Sequence, residues 1–169
     1  MKELQAGGVI RRVPLRNGGL VYELTPYGRA LEPILLALGR WGLQAMGDPT
    51  EGDVVTPDSL TMMLRASFQP ARADDLDVEL HVGDIASRVQ IRDGALEVIR
   101  IAPPAPPVGG AVPEGEPEAV IVAGPRIRRL IAGEVTPAEA IAQDLVAVVH
   151  GEEATLDRFA QAFRIAAVA

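Results

Sequence analysis

VIRRVPLRNGG, residues 9–19, places Arg11, Arg12 and Arg16 with Asn17 in one short Gly-ended stretch, and the chemistry that such a set suits is phosphate binding. A guanidinium presents a planar fork of donors that matches two phosphate oxygens, although the same residues also suit a solvated hairpin. A second cluster, Arg126, Arg128 and Arg129 in GPRIRRLIAG, stands among many acids and reads as a solvated helix face. The remaining reactive types are sparse. His81 and His150 each stand without a second His or a carboxylate at ligand spacing, so no metal site is expected. There is no cysteine and no Ser in a GxSxG turn. Asp74-Asp75 and Glu152-Glu153 suit a turn and a helix start, where acids are favoured without acid/base catalysis. These residues together predict a chain that is not an enzyme and carries no cofactor.

Charge separates the chain into two parts. Residues 1–47 hold six basic residues against three acidic ones, net +3, while residues 48–169 hold ten arginines against twenty acids, net −10. A polyanion is drawn to the first part and repelled by the second, so any nucleic-acid role belongs near the N-terminus. With 48% of its 169 residues apolar, the chain can bury a real core. No apolar run approaches the roughly 18 residues of a membrane span, and MKELQAGG lacks the apolar stretch of a secretion signal. The expected location is the cytoplasm, with no membrane partner.

The elements that must position these side chains are legible in outline. Residues 9–24 read as a β-hairpin turning at Arg16-Asn17-Gly18-Gly19. From Thr25 a long helix is expected, with Leu31, Ile34, Leu35, Leu38 and Trp41 on one stripe and Pro33 kinking or loosening it. A stripe this apolar needs a core or a second subunit to cover it. MGDPTEGDVVTPDS then breaks the periodicity, which places a linker near residues 47–55. Thr25-Pro26, Thr56-Pro57 and Thr136-Pro137 each look like a helix start, with Thr as cap and Pro at the first helical position. Glu139 completes a capping box with Thr136. Residues 77–82, 85–92 and 95–101 form a meander through Gly83-Asp84 and Asp93-Gly94, with one dry face and one wetter one. Residues 119–124 and 145–151 are apolar on both faces and read as more central strands. The Pro/Gly-rich residues 103–117 are expected to be a loop, and a last helix starts near Glu153 with Leu156, Phe159 and Phe163 at helical spacing.

Two families are resembled. MKELQAGGVIRR, the strand pair and YELTPYGRALEPILLALGRWG resemble the C-terminal half of an HxlR-type winged-helix transcription regulator, with LTPYGR and LGRWG the specific elements. The resemblance implies that KELQAGG ends the recognition helix and that the hairpin is the wing. Arg11, Arg12, Arg16 and Asn17 would lie near DNA, and Leu31, Ile34, Leu35, Leu38 and Trp41 would face the core or a dimer partner. Residues 57–165 resemble a sterol-carrier-protein-type lipid-binding domain, carried by SLTMMLR, the meander and IAGEVTPAEAI with its following strand, Gly and helix. By that resemblance Leu60, Met63, Leu64, Phe68, Leu130 and Phe159 would line an apolar pocket. Helical spacing alone leaves Leu60, Met62, Met63, Leu64 and Phe68 as plain core or cavity wall.

The expected fold is therefore α+β: a partial winged helix over 1–47, made of hairpin and long helix, then a sterol-carrier-like domain over 56–169 whose mainly antiparallel sheet is covered by helices. The expected function is a homodimeric DNA-binding transcription regulator with a C-terminal effector-binding or dimerisation domain. The alternative is a carrier of small apolar, lipid-like ligands that dimerises through its N-terminal helix, and a third reading is a structural interaction domain with a filled core. The resemblance further implies helices ahead of residue 1, so specific operator binding is expected only from a chain extended upstream.

Overall fold

A computed structural model describes residues 1–15, 18–50, 53–101 and 115–165. It divides into two units, residues 1–39 and 40–169.

The first unit begins with the short helix α1 (Lys2–Ala6), followed by strands β1 (Ile10–Pro14) and β2 (Leu20–Leu24) in an antiparallel pair that sets Arg11 opposite Glu23 and Arg12 opposite Tyr22. The expected long helix from Thr25 is instead two helices, α2 (Pro26–Arg29) and α3 (Glu32–Ala45). Pro33 accounts for the break: it has no N–H to give, and its ring would collide with the carbonyl of Arg29 in a continuous helix. Proline is tolerated only in a first turn, so the helix restarts around it.

The second unit carries α4 (Pro57–Ser67), the strands β3 (Leu76–Val82), β4 (Ile85–Arg92), β5 (Ala95–Arg100) and β6 (Ala119–Ala123), the short helices α5 (Arg128–Ile131) and α6 (Pro137–Ala142), strand β7 (Val146–His150), and α7 (Ala154–Ala162). All three Thr-Pro pairs start helices, α2, α4 and α6, each with the threonine hydroxyl accepting from a backbone N–H in the first turn. At Thr136 the capping box with Glu139 is closed in both directions. The sheet order is β5-β4-β3-β6-β7, with β3 and β6 parallel and the other pairs antiparallel. The β4–β5 turn places Asp93 at φ 52° and Gly94 at φ 73°, the doubly left-handed backbone that an Asp-Gly pair supplies at low cost.

Along β3, Leu76, Val78, Leu80 and Val82 are buried and Asp77, Glu79 and His81 half-buried, the expected dry and wetter faces. Two expectations change. Strand β7 is an edge strand, not a central one, and its Val149 and His150 are exposed. Strand β4 is buried on both faces up to Ile91, because Arg88 and Gln90 fold onto Asp77 rather than reaching into solvent. The core joins this sheet to Leu60 and Leu64 of α4, Leu130 and Ile131 of α5, and Leu156 and Phe159 of α7. Phe163 caps the end of α7 and packs at a tilt against Phe159, with ring centroids 4.7 Å apart. Expected loop residues 103–114 lie outside the described residues.

Candidate nucleic-acid interface

The hairpin presents its arginines on opposite sides because successive residues of a strand alternate. Arg11 points to the side of Glu23: its Nε donates to Glu23 Oε2 at 3.0 Å, with Nη2 2.8 Å from the same oxygen. Arg29, at the end of α2, brings its Nη2 to 3.7 Å from Glu23 Oε1. Arg12 lies on the other side, with its guanidinium carbon 5.9 Å from the centroid of the Tyr22 ring, a cation–π contact with its cross-strand neighbour. All three guanidiniums belong to exposed residues. At the turn, Leu15 N–H donates to Gly19 O at 2.7 Å and Gly18 N–H to Leu15 O at 3.0 Å. Arg16 and Asn17, expected to be wing residues, lie outside the described residues.

The LTPYGR stretch locks α2 against the start of this hairpin. Thr25 N–H donates to Val9 O at 3.0 Å, its hydroxyl donates to Gly8 O at 2.5 Å, and the same hydroxyl caps α2 by accepting from Gly28 N–H at 3.0 Å. Gly28 is buried, and a Cβ there would stand 2.1 Å from Val9 O. Only glycine lets α2 approach so closely, and the position of Arg29 follows from that approach.

On α3 and just before it, Trp41 is 69% exposed, Ile34 63%, Leu38 59%, Leu35 52% and Leu31 38%. The stripe expected to face the core or a partner is open in the single chain. Among the residues expected to line an apolar pocket, Leu60, Leu64, Phe68, Leu130 and Phe159 are buried and Met63 half-buried. The ends of α4 and α7 meet at one of them: Phe68 pairs with Phe163 in an isolated antiparallel bridge, with ring centroids 5.8 Å apart. Gln69 N–H donates to Ala162 O at 2.8 Å and Arg164 N–H to Ser67 O at 2.8 Å.

Sequence reading missed the polar network on the wetter sheet face. Arg88, only 3% exposed, gives its Nε to Asp77 Oδ1, and Gln90 Nε2 donates to Asp77 Oδ2 at 2.8 Å. Burial pushes the Asp77 carboxyl up, but the bonds from Arg88 and Gln90 and the charges of Arg88 and Arg92 outweigh it and hold it below the usual carboxylate range. His81, read as standing without a carboxylate at ligand spacing, has its Nε2 2.5 Å from Glu79 Oε1. The signal was present as the i, i+2 spacing that puts both residues on one strand face. Arg128 is likewise not part of a solvated helix face. It is buried, with Nη2 2.8 Å from Glu134 Oε1 and 3.4 Å from Asp48 Oδ1, because the turn Pro125–Ile127 folds α5 back onto the core. Among the described residues no three His, Asp or Glu side chains gather as metal ligands, and no helix is long and apolar enough to cross a membrane.

Residues 1–49 match the family of HxlR-like helix-turn-helix domains. No curated protein matches the chain. Among solved structures, the chain is similar to the stereoselective inverting sec-alkylsulfatase Pisa1 from Pseudomonas sp., at a TM-score of 0.50 and 17% identity over 65% of this chain and 16% of that one. A double mutant of that sulfatase gives a TM-score of 0.48, with the same identity and coverage. A conserved hypothetical protein from Thermus thermophilus, a candidate sterol carrier protein, is similar at a TM-score of 0.42 and 18% identity over 69% of this chain and 87% of that one. This chain thus spans about a sixth of the length of the sulfatase structures that it matches. The sulfatase likeness concerns fold, and it corrects the expectation that the chain is not an enzyme: a fold shared with part of an enzyme gives no ground for excluding catalysis, and missing motifs alone do not supply one.

Proposed function

We propose that this chain is a DNA-binding transcription regulator that meets the phosphate backbone through its N-terminal hairpin and pairs with a second copy through the apolar stripe of α3. The observation that carries this reading is the coincidence of two features. The residues that match an HxlR-like helix-turn-helix, 1–49, are also the basic part of an acidic chain, and they hold exposed Arg11 and Arg12 on a two-stranded hairpin. Such a hairpin supplies phosphate contacts, while base readout needs a helix or strand in a groove. The apolar stripe supports pairing because water-exposed Ile34, Leu38 and Trp41 on one helix gain by burial against a copy of themselves. In this reading the α+β unit is an effector or dimerisation domain, with Leu60, Met63, Leu64, Phe68, Leu130 and Phe159 walling an apolar ligand whose binding shifts dimer geometry. The domain limits of the proposal are 1–47 and 56–169.

Fluorescence anisotropy with a labelled duplex tests the DNA reading. The chain binds with an affinity that falls steeply between low and moderate salt, and the Arg11→Ala/Arg12→Ala variant lowers the slope of log K against log salt by about 0.9 for each lost phosphate contact. Binding that is absent at low salt, or that the double variant leaves unchanged, refutes it.

A further inference from the structure

Glu23 stands between two guanidiniums, and one of them, Arg29, is not on the hairpin at all. We propose that Arg29 is a second backbone-phosphate contact, gathered with Arg11 around the Glu23 carboxylate, so that the DNA-binding surface continues from the hairpin onto α2. The inference rests on the DNA-binding reading and adds a residue to it.

The cross-strand register places Arg11 and Glu23 directly opposite on one face of the hairpin. Arg11 commits Nε and Nη2 to a single carboxylate oxygen, and among the described residues its other donors meet no acceptor. Arg29 approaches the second oxygen at 3.7 Å, an ion pair too long for a good hydrogen bond, so its fork is also open. The side chains of Arg11 and Arg29 are 60% and 54% exposed, so neither head group is committed to the interior. Two cations around one anion carry a net +1 on this face, equal to that of the Arg12 face. The difference is in gathering: this face brings two guanidiniums to one carboxylate, so two forks of donors meet at one place on the surface.

The placement of Arg29 is no accident of a long side chain. The residue directly before it, Gly28, packs where a Cβ would meet Val9 O, and Thr25 fastens the same turn to Val9 through its N–H and to Gly8 through its hydroxyl. The backbone that carries Arg29 is therefore docked on the base of the hairpin.

The test uses the full chain and a labelled duplex, with the salt slope as readout. Arg29→Ala lowers the slope by about 0.9 per chain and weakens binding several-fold at low salt, Arg29→Lys restores most of the slope, and Arg126→Ala, in the acidic part of the chain, leaves it unchanged. Inorganic phosphate at the same ionic strength as chloride displaces the duplex no better than chloride does, because the surface takes a phosphate backbone rather than a free ion. If Arg11→Ala lowers the slope and Arg29→Ala does not, the extension onto α2 is wrong while the hairpin reading stands. Preferential displacement by phosphate also overturns it, in favour of a small-anion site. A parent chain that binds no duplex removes both.

Discussion

Trp41→Ala is the sharpest probe of the proposed pairing through α3. Trp41 is 69% exposed in the single chain, and a tryptophan offers roughly 250 Å² in all, so about 170 Å² is available for burial. Truncation to alanine removes about 100 Å² of that area, worth about 2.5 kcal/mol per copy at roughly 25 cal/mol per Å² if coverage is complete. A two-fold dimer loses the contact twice, so half coverage on each side still costs about 2.5 kcal/mol, close to a 70-fold rise in dimer dissociation constant. Analytical ultracentrifugation over a concentration series reads this directly. The parent sediments as a dimer at micromolar concentration, and the variant shifts its midpoint by one to two orders of magnitude while its far-ultraviolet circular dichroism is unchanged. A parent that is monomeric at these concentrations, or a variant whose midpoint does not move, refutes the reasoning.

Other outcomes follow from the same geometry. Asp77→Asn leaves the buried Arg88 guanidinium without its counter-charge and lowers stability by about 3 kcal/mol in denaturant unfolding, and adding Arg88→Met to it recovers much of that loss. Because the folded-state pKa of Asp77 is depressed, its stabilising contribution is present above the unfolded carboxylate value and is lost as pH falls through the folded one; acid titration of the parent therefore shows a loss that Asp77→Asn lacks. Gly28→Ala forces a Cβ against Val9 O and costs about 1–3 kcal/mol locally, read as faster hydrogen exchange at the Thr25 amide. In the proposed effector domain an apolar fluorescent probe binds and is displaced by fatty-acid-like compounds, and Met63→Glu abolishes its binding; a parent that binds no such probe removes the effector role.

Local chemistry was readable where it acts over a few residues. The three Thr-Pro starts and the Asp93-Gly94 turn each stood in sequence as a cap or a positive-φ pair, and each forms as expected. Strand order was less legible. Val146–His150 is as apolar as an inner strand, yet it closes the sheet, because apolarity reports burial on a face and says nothing about which neighbour supplies the hydrogen bonds. Arginines were hard to read in both directions: Arg128, expected on a solvated face, is buried against Glu134 and the distant Asp48, while Arg29 gains its place from the backbone fit at Gly28. Of the arginines proposed at the interface, Arg11 and Arg12 were visible in the RR pair. Arg29 was not, since its partner Glu23 sits across a strand and a helix start.

The central claim, that the N-terminal hairpin is the surface that meets DNA, is tested most directly by amide chemical-shift mapping during titration with a short duplex. The account predicts shifts and line broadening along β1, β2 and the start of α2, including the amides of Arg11, Arg12, Tyr22 and Arg29, with β6 and β7 unmoved. Perturbations confined to residues 119–165, or no perturbation anywhere at low salt, would contradict it.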